Sequence, residues 1–385
     1  MRILYYAWKE YTYSDAVETL EKMGHDIVVD NTPYKAFDED EQFISAVTKR
    51  ARSSKADIIF SFNYFPDLSR VATELGIRYV CWCYDSPLLT LESKTLSNPC
   101  NLVFLFDRML YEKYRDAGVG TVHHLSLACN AIRLSAATKD CLNKYEHDIT
   151  FLGNMYSDET DFYSQIKYLP EYVRGYVDSV MEAAMKIYGM DMISETVGHD
   201  ICEQIAEYAK FDLGPLYNDC RDNVIRFMIQ KHTTVIERLR LLTVLSENFK
   251  VDHYAKVKCN AIKANYKGYA DYVKQMPRIF ATSRINLNIT LRSIISGIPL
   301  RVIDILGAGG FCLTNYQSEI AEYFENDKSV VWYESYEDMF VKLDYYLRND
   351  SAREDIARRG QEIVANDFTY EKRFEEMFSI LKQEG

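Results

Sequence analysis

Between Asn286 and Phe324 the chain reads NLNITLRSIISGIPLRVIDILGAGGFCLTNYQSEIAEYF, a run that gathers groups able to hold an anion. Ser293, Ser296 and Gly297 fall in a loop, Pro299 opens a helix, and Arg292 and Arg301 flank the opening. A helix that starts after such a loop presents unpaired N–H groups and a positive dipole end, which suits a phosphate. Asp304 lies roughly one turn further in, where a carboxylate can accept hydrogen bonds from a ribose diol. The plainer alternative is an ordinary α/β unit with Arg301 and Asp304 as a surface pair at i, i+3.

Other residues could move a proton. Asp85 and Asp107 each follow an apolar run directly and are the candidates for a general base. His123 and His124 are adjacent on a strand, so they face opposite ways and at most one serves a site. The acidic triplet Asp38–Glu39–Asp40 precedes a helix, where acidic side chains favour the dipole, and is not read as a metal site. No zinc spacing, phosphate-loop motif or Ser-His-Asp cue stands out.

The elements that position these groups alternate. Strands are expected at Arg2–Tyr6, Asp26–Val29, Asp57–Phe62, Arg78–Tyr84, Asn101–Phe106 and Val122–Leu127, with helices between them. That rhythm implies a parallel, doubly wound sheet, with function collected beyond the carboxyl ends of the strands. The first βα loop, Ala7–Tyr13, is bulky and lacks glycine, so it cannot closely cradle a pyrophosphate.

A second series begins at Asp148–Leu152 and ends in Gly153–Asn154. From about 157 to 230 the rhythm gives way to helical spacing, an insertion read as a buttress, the alternative being a surface for an acceptor protein or a second copy. The rhythm resumes with a helix Thr234–Leu245, a strand Phe249–Tyr254 and a helix Tyr272–Phe280. In the central run, Arg284–Ile289 is a strand, Leu300, Ile303 and Leu306 give the Pro299 helix one buried face, and Phe311–Thr314 is the next strand. A helix from Phe368 to Leu381 closes the chain.

The run "GIP-R-V-x-D", "GGF" and "LT", together with FLGNMY at Phe151–Tyr156, CWCYDSP at Cys81–Pro87 and FDR at Phe106–Arg108, resembles the GT-B glycosyltransferases of the spore-maturation CgeB-like kind. The likeness is best in the C-terminal third and slight in the middle. It implies a bacterial α/β protein of two Rossmann-like doubly wound domains: 1–146 for the acceptor, and 147–365, with the helical insertion, for a nucleotide-sugar. Residues 366–385 would form a helix crossing back to the first domain. It implies a hexosyltransferase-type activity on a UDP-linked donor, with a protein or glycan acceptor and no cofactor. On the donor it places Gly153, Asn154, Asn288, Arg292, Ser296, Gly297, Leu300, Arg301, Asp304 and Thr314. Retaining enzymes of that fold carry two glutamates eight positions apart; Asp304 stands at the second and Ser296 at the first. Their phosphate-binding Arg or Lys after the first strand of the second domain has no counterpart in Asn154–Glu159. An epimerase on the same fold, or a non-catalytic binding protein, are the rivals.

With 385 residues the chain can build two substantial cores. A net charge of −12 argues against a general nucleic-acid binder, though not against a nucleotide held by local cations. Nine scattered cysteines suggest free thiols in a reducing compartment, and no apolar run approaches the ~18 residues of a membrane span. The expected compartment is the cytoplasm; the sequence leaves the oligomeric state open, with a homodimer as the option considered.

Overall fold

The computed structural model describes residues 1–35, 39–157, 161–209 and 214–384. Asp38 of the acidic triplet, and Asp158, Glu159 and Thr160 of the insertion, lie outside them. The chain divides into two compact units. One comprises Met1–Leu127, Phe211–Cys220 and Tyr370–Gly385; the other comprises Ala128–Lys210 and Arg221–Thr369.

The first unit runs β1 (Arg2–Tyr6), α1 (Tyr13–Lys22), β2 (Asp26–Asp30), α2 (Glu41–Ser54), β3 (Ile58–Phe62), α3 (Pro66–Leu75), β4 (Arg78–Cys83), β5 (Asn101–Leu105), α4 (Arg108–Asp116) and β6 (Val122–His124). All strands pair in parallel in the order β2-β1-β3-β4-β5-β6. Both faces of such a sheet are covered, so β3 (IIFSF) and β5 (NLVFL) are buried at every position.

The second unit begins with α5 (Ala131–Thr138) and β7 (His147–Leu152), then α6 (Glu171–Ala184), α7 (Met192–Thr196), α8 (His199–Ala206) and α9 (Arg221–Asn248). It continues with β8 (Val251–Tyr254), β9 (Asn265–Gly268), α10 (Met276–Ala281), β10 (Ser283–Asn288), α11 (Leu300–Gly307) and β11 (Cys312–Asn315). Last come α12 (Ile320–Tyr323), β12 (Val331–Tyr333), α13 (Tyr336–Arg348) and α14 (Asp350–Asp367). The sheet is again all parallel, ordered β12-β11-β10-β7-β8-β9. Residues 130–146, which join the two strand series in sequence, contain α5, which packs on α10 and α11 inside this unit.

The closing helix α15 (Tyr370–Gln383) is grouped with the first unit. Its Phe374 ring lies 5.8 Å from Phe60 and 6.0 Å from Trp82, so aromatic edges dock it on β3 and β4.

The strand expected at Val122–Leu127 stops at His124, and three expected helices differ. The helix expected at Thr234–Leu245 is the second half of α9, which has 28 residues. At 1.5 Å per residue it is about 42 Å long, roughly twice the length of the six-residue β7. Its C-terminal half, with Leu241, Leu242 and Leu245, joins the core of the sheet, while α6, α7 and α8 pack against α9. Insertion and sheet helix share one period, which hides the continuity. The helix expected at Tyr272–Phe280 forms only from Met276, because Pro277 can enter a helix only in its first turn. Pro299 is the N-cap of α11 rather than its first residue. After α11, Gly309 adopts φ +77°, and a Cβ at Gly310 would stand 2.8 Å from the Phe280 carbonyl oxygen. Those two glycines let the chain turn tightly from α11 into β11.

Candidate functional site

Strand order in the second sheet reverses between β7 and β10, and ligands of doubly wound sheets bind beyond the carboxyl ends at such a point. β7 runs out through Gly153 and Asn154. The Gly153 N–H donates to the Tyr254 carbonyl at 3.1 Å, and His253 Nε2 lies 3.0 Å from the Gly153 oxygen. Asn154 is exposed. At the end of β10, Asn288 Nδ2 donates to Thr290 Oγ1 and to Thr314 Oγ1, both at 2.9 Å, tying β10 to β11. These three side chains are buried, so Asn288 and Thr314 fix the exit of the loop that leads to α11.

That loop is held firmly. Ser296 Oγ donates to Glu319 Oε1 at 2.7 Å, and the Glu319 N–H donates to the Ser296 carbonyl at 3.1 Å. A buried carboxylate thus sits beside the position where the resemblance puts an acid, supplied from after β11. Its sequence distance of 23 residues from Ser296 hid it. Gly297 and Pro299 are buried and Leu300 is half-buried at the start of α11, which has no side-chain cap. Asp304 is 1% exposed; it accepts a hydrogen bond from Tyr272 Oη at 3.0 Å, and Arg301 Nη1 stands 3.8 Å away. Arg301 also lies over the Phe280 ring.

Arg292, expected to face a phosphate, is committed elsewhere. Its Nε and Nη2 donate to Glu237 at 2.7 and 2.6 Å, and its Nη1 and Nη2 donate to the carbonyls of Ile187 and Met185 at 2.8 and 3.0 Å. Burial works against its charged form, and Glu237 more than offsets that, so its pKa lies above the ordinary value. This corrects its assignment: the guanidinium is a strut between α9 and the loop.

Sequence reasoning missed Arg238. It reaches from α9 to donate Nη1 to the Asn154 carbonyl and Nη2 to the Ile289 carbonyl, each at 2.5 Å. It therefore spans the ends of β7 and β10. Tyr156 and Phe151 cover it, with ring centroids 5.1 and 5.4 Å away. The signal was present only as a cation inside an apolar helical stripe, three residues after Val235.

In the first unit the two candidate acids separate. Asp107 is 0% exposed and accepts from the Met109 and Leu110 N–H groups at 3.1 and 3.3 Å; it caps α4. That corrects its reading as a base. Asp85 keeps a solvent-exposed edge, and its Oδ2 accepts from Asn63 Nδ2 at 2.6 Å. The protein crowding around Asp85 raises its pKa, and the Asn63 hydrogen bond opposes the rise. Asn63 is pinned in turn, since its Oδ1 accepts from the N–H groups of Tyr84 and Asp85. His123 lies tilted against Phe104, ring centroids 5.4 Å apart, and stands 3.3 Å from Glu384. Asp40 caps α2 through the Phe43 N–H. Among the described residues no three His, Cys, Asp or Glu side chains converge as a metal site.

Two six-stranded parallel sheets, each with its own helices, make this a GT-B fold. Residues 229–379 match the family described as Glycosyl transferase-like, while no curated protein sequence matches the chain. Among solved structures, the sucrose-phosphate synthase of Thermosynechococcus elongatus aligns with TM-score 0.53 at 10% identity over 100% of this chain and 98% of that one. HepE of Anabaena in complex with UDP-glucose aligns with TM-score 0.53 at 10% identity, covering 100% of both chains. A putative UDP-N-acetylglucosamine 2-epimerase of Listeria monocytogenes aligns with TM-score 0.50 at 10% identity over 99% and 95%. No helix among the described residues is long and apolar enough to cross a membrane.

Proposed function

We propose that this protein transfers a sugar from a nucleotide-sugar to a protein or glycan acceptor. A UDP-linked donor is favoured by the UDP-glucose complex of the similarly folded HepE. One observation carries the reading: the stretch that matches the glycosyl transferase-like family, 229–379, is also the stretch that supplies Arg238, Asn288, Asp304 and Thr314 around the reversal of strand order. Such a transfer needs charge opposite the leaving diphosphate and a base for the acceptor hydroxyl. In this reading the amino end of α11 and nearby guanidinium groups face the diphosphate in place of a metal, Asp304 holds the ribose, and Asp85 is the base.

The experiment is incubation of the protein with UDP-sugars, with and without glycan or protein acceptors, followed by product analysis. Acceptor-dependent release of UDP that persists in EDTA is the expected result. Complete loss in EDTA would contradict the metal-free part. An isomerised donor formed without acceptor would favour the epimerase, the reading supported by the Listeria neighbour. No turnover of any donor would leave a binding protein, to which Ser296 in place of an acid lends weight.

A further inference from the structure

A guanidinium buried without a counter-charge is unstable unless something else supplies the anion. Taking an ion out of water costs several kcal/mol, and neutral carbonyls recover only part of that. Arg238 is in this situation. It is 7% exposed, and its two terminal nitrogens are spent on main-chain carbonyls. Its Nε is buried without a partner. The carboxylate nearest along α9, Glu237, has both oxygens engaged by Arg292, so it acts on Arg238 only through its field, and Tyr156 adds a hydrogen bond; together they do not offset the burial. Burial holds its pKa below the ordinary guanidinium value, the direction expected of a cation short of a counter-ion.

Its position adds the second half of the argument. The two carbonyls that fix Arg238 belong to the residues just beyond β7 and β10, the strands between which the order reverses. Tyr156 is covered by two cations: Arg238 at 5.1 Å, and Lys231, two turns earlier on α9, at 5.5 Å. The loop after β7 itself offers no cation among its described residues, Gly153–Ser157. Positive charge at this edge arrives instead from the helix that follows the insertion.

We propose that Arg238 is the diphosphate-binding cation of this chain, carried on α9 and held by the carbonyls of Asn154 and Ile289 at the β7–β10 reversal. This rests on the nucleotide-sugar reading above. As the acceptor oxygen bonds to the anomeric carbon and yields its proton to a base, the bond from that carbon to the β-phosphate oxygen breaks. The electron pair stays on the nucleoside diphosphate, whose negative charge grows by one. Arg238 opposes that charge where water is excluded.

The test measures inorganic pyrophosphate, UDP and uridine binding calorimetrically in the wild type, Arg238→Met and Arg238→Lys. A strut would affect all ligands alike; a diphosphate ligand affects only those with phosphates. Arg238→Met is expected to weaken pyrophosphate and UDP by about tenfold to a hundredfold, in line with a lost charge-assisted contact, with uridine within about twofold. Should Arg238→Met not fold, Arg238→Lys decides, because it keeps the charge but not the fork: pyrophosphate and UDP must weaken at least about fivefold, with uridine unchanged. Equal effects on all three ligands, or none, overturn the proposal. Wild-type protein that binds pyrophosphate through Arg238 but no nucleotide leaves the anion site standing and sinks the glycosyltransferase reading; wild-type protein that binds UDP unaffected by either variant does the reverse.

Discussion

The carboxyl ends of the two sheets hold different groups at the point where strand order reverses. In the first unit the reversal lies between β1 and β3. There Trp8 Nε1 donates to the Phe62 carbonyl at 2.8 Å, and Glu10 accepts from Tyr5 Oη and the Trp8 N–H at 2.8 and 2.9 Å. Burial raises the Glu10 pKa, and Asp85 at the end of β4 is raised in the same way. In the second unit the corresponding place is spanned by a cation, Arg238, resting on carbonyl groups. Equal architecture thus leads to unlike chemistry. A bulky loop without glycine and two carboxyl groups disfavour a diphosphate at the first edge, and suit a neutral hydroxyl that must lose a proton. At the second edge Arg238 is the group that favours an anion.

This contrast can be broken at either edge. Asp85→Asn should lower kcat by about 10²- to 10⁴-fold, the usual weight of a general base, and leave UDP affinity unchanged. Asp107→Ala should instead cost stability, about 1 kcal/mol for a lost N-cap, with turnover retained. If Asp107→Ala abolishes turnover in folded protein and Asp85→Asn does not, the roles are reversed. At the second edge, Glu237→Ala strands the buried Arg292 and should destabilise the protein by about 3–5 kcal/mol in urea unfolding. A change below about 1 kcal/mol would mean that Arg292 is not compensated in the way described.

The smallest expected effect is on pH. In its proposed role Asp85 acts as its carboxylate, so kcat/KM should fall on the acid side through a pKa above the ordinary value of about 3.9. Asn63→Ala removes the bond that holds that pKa down, so the acid limb should move to higher pH. A limb that stays in place would detach Asp85 from the rate.

Much of the framework was legible because buried parallel strands read as apolar runs, and strands such as Arg2–Tyr6 and Ile58–Phe62 fall where the pattern puts them. β9, with the sequence NYKG, was not legible: it is an edge strand with mostly exposed residues and no apolar run. The full length of α9 was hidden because one helical period serves both the sheet and the insertion. Asp85 and Asp107 look alike in sequence, each a carboxylate after a strand. Only the backbone separates a cap from a side chain that meets solvent. Arg292 and Arg238 pose the same problem: composition gives two cations, but not which of them has a buried carboxylate partner.

The proposed seat for a nucleoside diphosphate at the β10–α11 turn is tested most directly by calorimetric titration of UDP and GDP into the wild type, Asp304→Ala and Arg301→Ala. The expected result is binding of at least one nucleotide to the wild type and none to either variant, with unfolding transitions retained. Unchanged binding in both variants would contradict the placement of the donor.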